Sequence, residues 1–186
     1  MKTFLVSIVF AALSLSAQAK EVAGVDMPDQ LKTKEQSLLL NGAGVRTKFF
    51  MDIYAAGLYL PQTSKEAQSI IEQEKPMALR LHVTSGLLSS EKMESATREG
   101  FEKSTGGNTA PIQDTIDAFI ENFKDAIAEN DVFDFVYDPS EGVNVYKNGE
   151  LKSTIQGTEF KQALFGIWLS EDAVQEDLKE GLLGSL

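Results

Sequence analysis

The sequence NGAGVRTKFFMDIYAAGLYL, residues 41–60, is the segment that decides the fold of this protein. Its first four residues include two glycines, and it continues with mainly apolar, aromatic and β-branched residues, which favour strands. Arg46 is the exception. A guanidinium in such a run either lies at a strand end in water or faces a negative group, because burying it without a partner is very costly. The surroundings of Arg46 therefore bear on the function.

The same segment is predicted to form a hairpin. We expect its turn near residues 41–44 or near residues 47–48, followed by a long strand from Phe49 to Leu60 that Pro61 ends. The glycines of 41–44 would permit a turn or the close approach of another backbone. They form GxG without the rest of a nucleotide-binding motif, so a phosphate loop is not indicated.

The chain on either side of this segment contains strand and helix patterns in a mixed order. An extended lead-in with an edge strand precedes it. Because strands and helices do not alternate regularly, the order predicts an α+β domain whose largely antiparallel sheet is covered by helices. The predicted elements are a short helix opened by Ser64, a strand over 77–84, a helix capped by Ser89 or Ser90, an amphipathic helix from Thr109 to Ile127, strands over 132–137, 143–146 and 151–155 with a turn at Asn148-Gly149, a helix capped by Thr158, and a last helix carrying Val174, Leu178 and Leu182.

The first 19 residues have the pattern of a secretory signal peptide. Lys2 precedes an apolar run from Phe4 to Leu15, and Ala17-Gln18-Ala19 gives a small-x-small cleavage site. We therefore expect cleavage after Ala19, a mature domain over 20–186, and a periplasmic or secreted protein. The apolar run is shorter than an ordinary membrane span, so no stable span is expected after cleavage.

Composition narrows the classes of partner. The chain has a net charge of −11 and no cysteine. Such a negative field repels phosphate backbones and anionic headgroups, which argues against nucleic-acid binding and against attraction to an anionic membrane surface. Without cysteine there is neither a disulfide nor a thiolate nucleophile. The oligomeric state is left open.

No catalytic or metal-binding motif stands out. His82 is the single histidine and lies on a strand pattern without ligand spacing around it, so a structural or surface role is expected. The acidic pairs Glu171-Asp172 and Glu176-Asp177 are predicted at helix starts, where they complement the helix dipole. We expect no metal, no cofactor and no catalytic residue.

Arg46 and Tyr54 are the remaining candidates. On one continuous strand their spacing of eight puts them on the same face. Across a hairpin, an odd loop such as 47–49 keeps them on one face, whereas a two-residue loop separates them. Together they would clamp a carboxylate, with the guanidinium bidentate and the phenol donating one more bond. Spacing alone favours the other interpretation, an exposed arginine at a strand end beside a core tyrosine.

Apolar side chains are available to line a site beside this pair. They are core residues by default, and a cavity would be an addition to that role. The candidates are Phe49, Phe50, Ile53, Leu58, Leu79, Leu81, Phe119, Phe123 and Trp168.

Two segments resemble the chalcone isomerase superfamily. GAGVRTKFFMDIYAAGLYL resembles its opening motif, a glycine-rich GxGxR before a strand that ends in the pattern of Ala56-Gly57-Leu58-Tyr59. FKQALFGIWLSEDAVQEDLKEGLLG, residues 160–184, resembles its closing helices. The resemblance implies an open-faced β-sandwich of chalcone isomerase type, in which a large antiparallel sheet has helices on one face and a ligand cleft between them. With its leader, the chain looks like the bacterial, exported, chalcone isomerase-like branch.

The resemblance also implies roles for single residues. The family's plant enzymes cyclise chalcones, and their motif arginine matches Arg46. The threonine of their following strand falls at Tyr54, and their other polar groups fall near Ser89, Ala96 and Ile167. The fatty-acid-binding members look closer, because they pair the arginine with a tyrosine at the position of Tyr54.

We therefore predict a non-catalytic protein that binds an apolar carboxylate such as a fatty acid. The alternatives are an intramolecular lyase or isomerase of chalcone type, with Arg46 as electrophile, and a periplasmic protein-interaction module whose cleft is vestigial. The predicted ligand-binding residues are Arg46, Tyr54, Phe50, Leu58, Phe119, Phe123 and Trp168.

Overall fold

The computed structural model describes residues 20–185 of the chain, so the predicted leader lies outside the described residues. The strands are β1 (Lys20–Val22), β2 (Val25–Met27), β3 (Gln30–Lys32), β4 (Ser37–Lys48), β5 (Met51–Leu60), β6 (Met77–Val83), β7 (Val132–Asp138), β8 (Gly142–Lys147) and β9 (Glu150–Ile155). The helices are α1 (Ala67–Glu72), α2 (Ser90–Ser104), α3 (Gln113–Ile120), α4 (Thr158–Leu169) and α5 (Glu176–Leu182).

Strands β3 to β9 form one seven-stranded antiparallel sheet in which every neighbour in space is also the neighbour in sequence. Strands β1 and β2 make a separate hairpin. Helix α1 lies in the connection between β5 and β6, α2 and α3 lie between β6 and β7, and α4 and α5 follow β9. The α+β prediction, with a large antiparallel sheet and helices on one face, is confirmed.

The two faces of the sheet differ in what covers them. Leu79, Leu81 and Val83 of β6 belong to the main core under the helices, whereas Arg80 and His82 point to the other face, as the alternation predicts. The core under the helices is built on interlocking phenylalanines, whose ring centroids lie 5.3–6.4 Å apart. They are Phe101, Phe119, Phe123, Phe133, Phe135 and Phe160.

The hairpin of β4 and β5 turns at Phe49 and Phe50, two residues beyond the nearer of the predicted positions. Both residues have positive φ, 51° and 64°, so the turn is of the tight, left-handed kind. The predictions of a turn near 41–44 or 47–48, and of a strand beginning at Phe49, are wrong. Aromatic residues seldom take positive φ, so nothing in the local sequence indicated a turn there.

Several helix boundaries also differ from the prediction. Helix α1 begins at Ala67, because the Ser64 hydroxyl is used earlier to accept the Glu66 amide in a local turn. Gly157, with φ of 114°, precedes α4, so Thr158 is its first residue and not its cap. Ser89 caps α2 as predicted, accepting the Lys92 amide.

The amphipathic segment after Thr109 is shorter than its periodicity suggests. A 3₁₀ turn, Ala110–Ile112, leads into α3, and a second one, Glu121–Phe123, follows it. Ile127 therefore lies beyond the helix, although it still packs on the core.

One acidic pair is likewise displaced. Glu171-Asp172 lies between α4 and α5 rather than at a helix start, whereas Glu176-Asp177 does open α5.

Residues 41–44 continue β4 and let α5 lie directly on it. A β-carbon at Gly42 would overlap the Gly181 carbonyl oxygen and come within 2.6 Å of the Leu182 oxygen and 2.7 Å of the Gly184 nitrogen. All three are backbone atoms, so no side chain can move aside. The close backbone approach, one of the two predicted uses of these glycines, is the one observed.

We expect Gly42→Ala to lower the free energy of unfolding by about 3 kcal/mol, because α5 would have to move off β4. Denaturant unfolding at constant m-value measures the change. Gly86→Ala is the matched control, because a β-carbon there has no neighbour within 4 Å and its φ is not in the left-handed range. A Gly42 variant as stable as the Gly86 variant would show that the contact does not matter.

Candidate functional site

Arg46 and Tyr54 are direct cross-strand partners on β4 and β5. A two-residue turn alone would have set Arg46 opposite Ile53 and put Tyr54 on the other face. The register shifts by one residue between Arg46 and Thr47, and the bulged Ile53 restores the shared face. The two side chains predicted to act together are thus brought together by a bulge that the sequence reasoning did not foresee.

Arg46 is held from the helical side by Gln175, the residue just before α5. The Arg46 Nη1 donates to Gln175 Oε1 at 3.0 Å, and the same oxygen accepts the Thr47 amide at 3.0 Å. The amide group of Gln175 donates in turn to the Val45 carbonyl at 3.2 Å. Gln175 therefore orients the guanidinium without neutralising it. No carboxylate among residues 20–185 forms an ion pair with Arg46.

Tyr54 is buried, and its hydroxyl accepts the indole N–H of Trp168 at 3.0 Å. Because the oxygen is used as an acceptor, the phenol proton is free to be donated, and no acceptor for it is found within residues 20–185. Burial raises the pKa of Tyr54 above its ordinary value of 10.0, with Trp168 and Arg46 acting in the opposite direction. The phenol is therefore a neutral donor at physiological pH.

These groups lie in the wall of a cavity of about 410 Å³ between the sheet and helices α2 and α4. Its volume is in the range of small-molecule sites, and its wall is mainly apolar with a few polar groups, as is usual for such sites. The residues that line it are Arg46, Lys48, Phe49, Met51, Ile53, Tyr54, Leu81, Leu87, Leu88, Lys92, Met93, Ser95, Ala96, Thr97, Glu99, Phe119, Phe123, Phe135, Ile167, Trp168 and Val174.

The predicted ligand-binding residues divide into two groups. Arg46, Tyr54, Phe119, Phe123 and Trp168 line the cavity. The other two do not: Phe50 stands wholly exposed at the tip of the hairpin, and Leu58 is buried further along β5, in the core. Among the additional lining candidates, Phe49, Ile53 and Leu81 reach the cavity and Leu79 does not.

The sequence reasoning missed most of the helical wall. Gln175 and Val174 carry no motif, and neither do Met93, Ala96 and Thr97 on α2. The helical spacing of α2 could have indicated which residues share a face. It could not show that this face leaves a gap above the sheet.

A second cavity, of about 380 Å³, lies on the opposite face of the sheet and is more polar. Its arginine is already used: Arg80 donates to both carboxylate oxygens of Asp134, at 2.7 and 2.9 Å. His82 also points to that side of the sheet. Of the two cavities, only the one at Arg46 presents a guanidinium without a carboxylate partner among the described residues.

Residues 20–185 contain no group of three or more histidine, cysteine, aspartate or glutamate side chains placed to hold a metal ion. In the same range no helix is both long and apolar enough to cross a membrane.

The sequence model of the chalcone isomerase-like family matches residues 19–184, almost the whole chain. The chain belongs to the chalcone isomerase-like family. Comparison with curated proteins finds no match.

Among solved structures, this chalcone isomerase-like chain is similar to the Arabidopsis thaliana fatty-acid binding protein AtFAP1, with a TM-score of 0.68. The similarity covers 86% of this chain and 92% of the plant protein at 17% sequence identity. At that identity the likeness establishes the common fold.

Three positions that the resemblance aligned with polar groups of the plant isomerases can now be placed. Ala96 and Ile167 line the cavity, where each offers only an apolar side chain. Ser89 does not line it and instead caps α2. Around Arg46, this chalcone isomerase-like site therefore has Tyr54 as a donor, whereas Ala96 and Ile167 offer no hydrogen-bonding side chain.

The raised pKa of Tyr54 has a consequence at alkaline pH. Its neutral form is favoured in the folded state, so the stabilisation is complete below the unfolded pKa near 10.0 and is lost as the pH rises above it. We expect Tyr54→Phe to lose less stability than the wild type between pH 9 and pH 11, roughly the interval around that pKa. Chemical unfolding at each pH measures this. Parallel curves for the two proteins would contradict the assignment.

Proposed function

We propose that this protein binds an apolar carboxylate such as a fatty acid, with its head group at Arg46 and Tyr54 and its chain in the cavity. The observation that carries the proposal is that Arg46, beyond the N–H groups of its Nη1, and Tyr54 both keep donors that no acceptor within residues 20–185 uses. Arg46 lacks a carboxylate partner within residues 20–185, and the phenol proton of Tyr54 lacks an acceptor there. Tyr54 is buried and Arg46 is half-buried. Buried donors are normally satisfied, so this site favours a ligand that accepts from both side chains.

A carboxylate fits this pair better than a neutral head group. Its two oxygens can take a guanidinium N–H and the phenol O–H together, and charge-assisted bonds of this kind are stronger than neutral ones. Gln175 supports the geometry, because it already uses Nη1 of Arg46 and restrains the side chain from the α5 side. Less side-chain freedom then remains to be lost when the ligand binds.

The rest of the wall suits an aliphatic chain. Phe119, Phe123, Phe135 and Trp168 close the inner end of the cavity, and Leu87 and Met51 lie at its exposed end. Burying apolar chain against these residues supplies the non-directional part of the affinity. Similarity to a protein named as a fatty-acid binding protein supports the same ligand class.

The apolar side chains at Ala96 and Ile167 support a binding role rather than catalysis. An isomerase with Arg46 as electrophile would have to position the reacting phenolate with other donors. Ala96 and Ile167 provide none. We expect no turnover of a chalcone above the buffer rate, followed by absorbance of the substrate. A progress curve that rises with protein concentration would support the isomerase alternative instead.

The binding proposal is tested by titrating the mature protein with a saturated fatty acid and, separately, with the alcohol of the same chain length. Arg46→Ala is expected to weaken acid binding by about 1.5–3 kcal/mol, which is roughly a 10- to 150-fold rise in Kd. Binding of the alcohol should change little, because it has no charge for Arg46 to meet. Tyr54→Phe should weaken the acid by a smaller factor, on the order of 1 kcal/mol for one hydrogen bond.

Two controls accompany this titration. Arg98→Ala removes an arginine that pairs with Glu94 and Asp117 on the outer surface, and it should leave both ligands unaffected. Thermal unfolding shows that each variant is folded. Equal Kd values for wild type and Arg46→Ala would overturn the proposal. Mass spectrometry of lipids extracted from the gently purified protein would identify the natural ligand class, and empty protein that ignores added fatty acid would favour the protein-interaction alternative.

We infer that the protein acts outside the cytoplasm, in the periplasm or as a secreted protein, after cleavage near Ala19. The signal-peptide pattern of residues 1–19 supports this. N-terminal sequencing of protein recovered from a cell fractionation should find Lys20 as the first residue.

A further inference from the structure

The exposed apolar residues of this protein are concentrated at one place. Within residues 20–185, six large apolar side chains are exposed, and four of them lie together: Phe49, Phe50, Met51 and Leu87. Phe49 is 78% exposed and Phe50 is fully exposed. We call these four residues the apolar tip. Apolar patches of this kind on a small protein commonly mark an interaction surface.

Folding does not explain the two phenylalanines. The turn of β8 and β9 has nearly the same backbone, with φ of 52° and 79°, and uses Asn148-Gly149, the residues such turns prefer. At the β4–β5 turn the chain places Phe49 and Phe50 in left-handed conformations that disfavour side chains with a β-carbon. The same sheet thus contains one tight turn whose residues favour positive φ and one whose residues disfavour it. Local strain retained in this way is typical of functional positions.

The apolar tip stands at the mouth of the cavity. Phe49, Met51 and Leu87 all line its open end, from the hairpin on one side and the loop before α2 on the other. Two lysines flank them: Lys48, whose Nζ lies 5.8 Å from the Phe49 ring centre, and Lys92, whose Nζ donates to the Leu87 carbonyl. Aromatic and aliphatic groups with flanking lysines are the composition of segments that insert at a lipid interface.

We propose that the apolar tip docks on a lipid bilayer. Phe49 and Phe50 enter the boundary between headgroups and acyl chains, and the ammonium groups of Lys48 and Lys92 meet lipid phosphates. The open end of the cavity then faces the bilayer, so an apolar ligand passes between membrane and protein without crossing water. The proposal that the protein docks on a bilayer depends only on the observations at the apolar tip. The transfer of a carboxylate ligand depends on the proposed function as well.

The acidic character of the protein limits this docking to the tip. With a net charge of −11 the remaining surface is repelled by anionic headgroups. Two acidic residues lie near the mouth: Asp52, next to Met51, accepts from the Thr47 hydroxyl, and Glu99 lines the cavity. Apolar insertion, assisted by two lysines, is therefore the main attraction, and binding should not increase steadily with the anionic lipid content.

The test is flotation of the mature protein with vesicles of phosphatidylethanolamine containing a minority of phosphatidylglycerol, and with vesicles of phosphatidylcholine. Wild type should float with both. Phe50→Gly should reduce partitioning roughly 10-fold or more, because a fully exposed ring is lost. The same substitution removes a phenylalanine from a left-handed backbone conformation, so it should raise Tm by about 2 °C. A loss of vesicle binding could then not be explained by unfolding of the variant.

Two further variants complete the experiment. Phe50→Trp should keep the partitioning and report it as a blue shift of fluorescence on adding vesicles, since the native Trp168 is already buried. Leu151→Ala removes an exposed leucine on β9, an edge strand of the sheet, and should change nothing. Arg46→Ala should still float, which separates docking from ligand binding.

Three outcomes would overturn the proposal. Wild type that stays at the bottom of the gradient would exclude bilayer docking. Equal partitioning of wild type and Phe50→Gly would place the contact elsewhere. Self-association of the wild type without vesicles, abolished by Phe50→Gly, would assign the tip to a second copy of the chain.

Discussion

The one-residue bulge in β5 opposite Arg46 and Thr47 is the constraint on which the site depends. A tight two-residue turn fixes the first two pairs of the hairpin, Lys48 with Met51 and Thr47 with Asp52. Continued without interruption, that register would direct Tyr54 away from the helices. The extra residue, Ile53, reverses the alternation, because side chains on a strand change face with every residue. The bulge therefore determines which side chains of β5 beyond Ile53 face the helices and enter the core.

The cavity exists because the helical layer is uneven. At one end of the sheet, Phe101, Phe119 and Phe160 fill the space under the helices with rings packed edge to face or tilted. At the other end the small side chains of Ser95, Ala96 and Thr97 on α2 line the cavity and leave it open. The gap is closed at its inner side by Trp168, whose indole also fixes the Tyr54 hydroxyl. The same residues therefore set both the core packing and the geometry of the site. Substitutions in the aromatic cluster are expected to change the shape of the cavity.

At the tip of the β4–β5 hairpin, the residues do not match the conformation of their backbone. Most positions in this chain agree with their local structure, as Asn148-Gly149 and the cap Ser89 show. Phe49 and Phe50 do not, and they are also exposed, so neither backbone preference nor burial favours them. Natural proteins keep such locally unfavourable residues where function requires them. Here the unfavourable residues stand at the mouth of the cavity, next to the residues proposed to hold the ligand.

The sequence by itself determined the class of fold, the antiparallel order of the strands and the alternation of β6. These follow from hydrophobic periodicity and turn residues, which are local properties. It also selected Arg46 and Tyr54, because a guanidinium and a phenol in an apolar segment are unusual. Only the tertiary structure decided that the turn lies at Phe49-Phe50, that a bulge aligns the pair, and that Gln175 orients the arginine from 129 residues away along the chain. Register and long-range contacts depend on how the whole sheet and its helices pack, so no local pattern in the sequence specifies them.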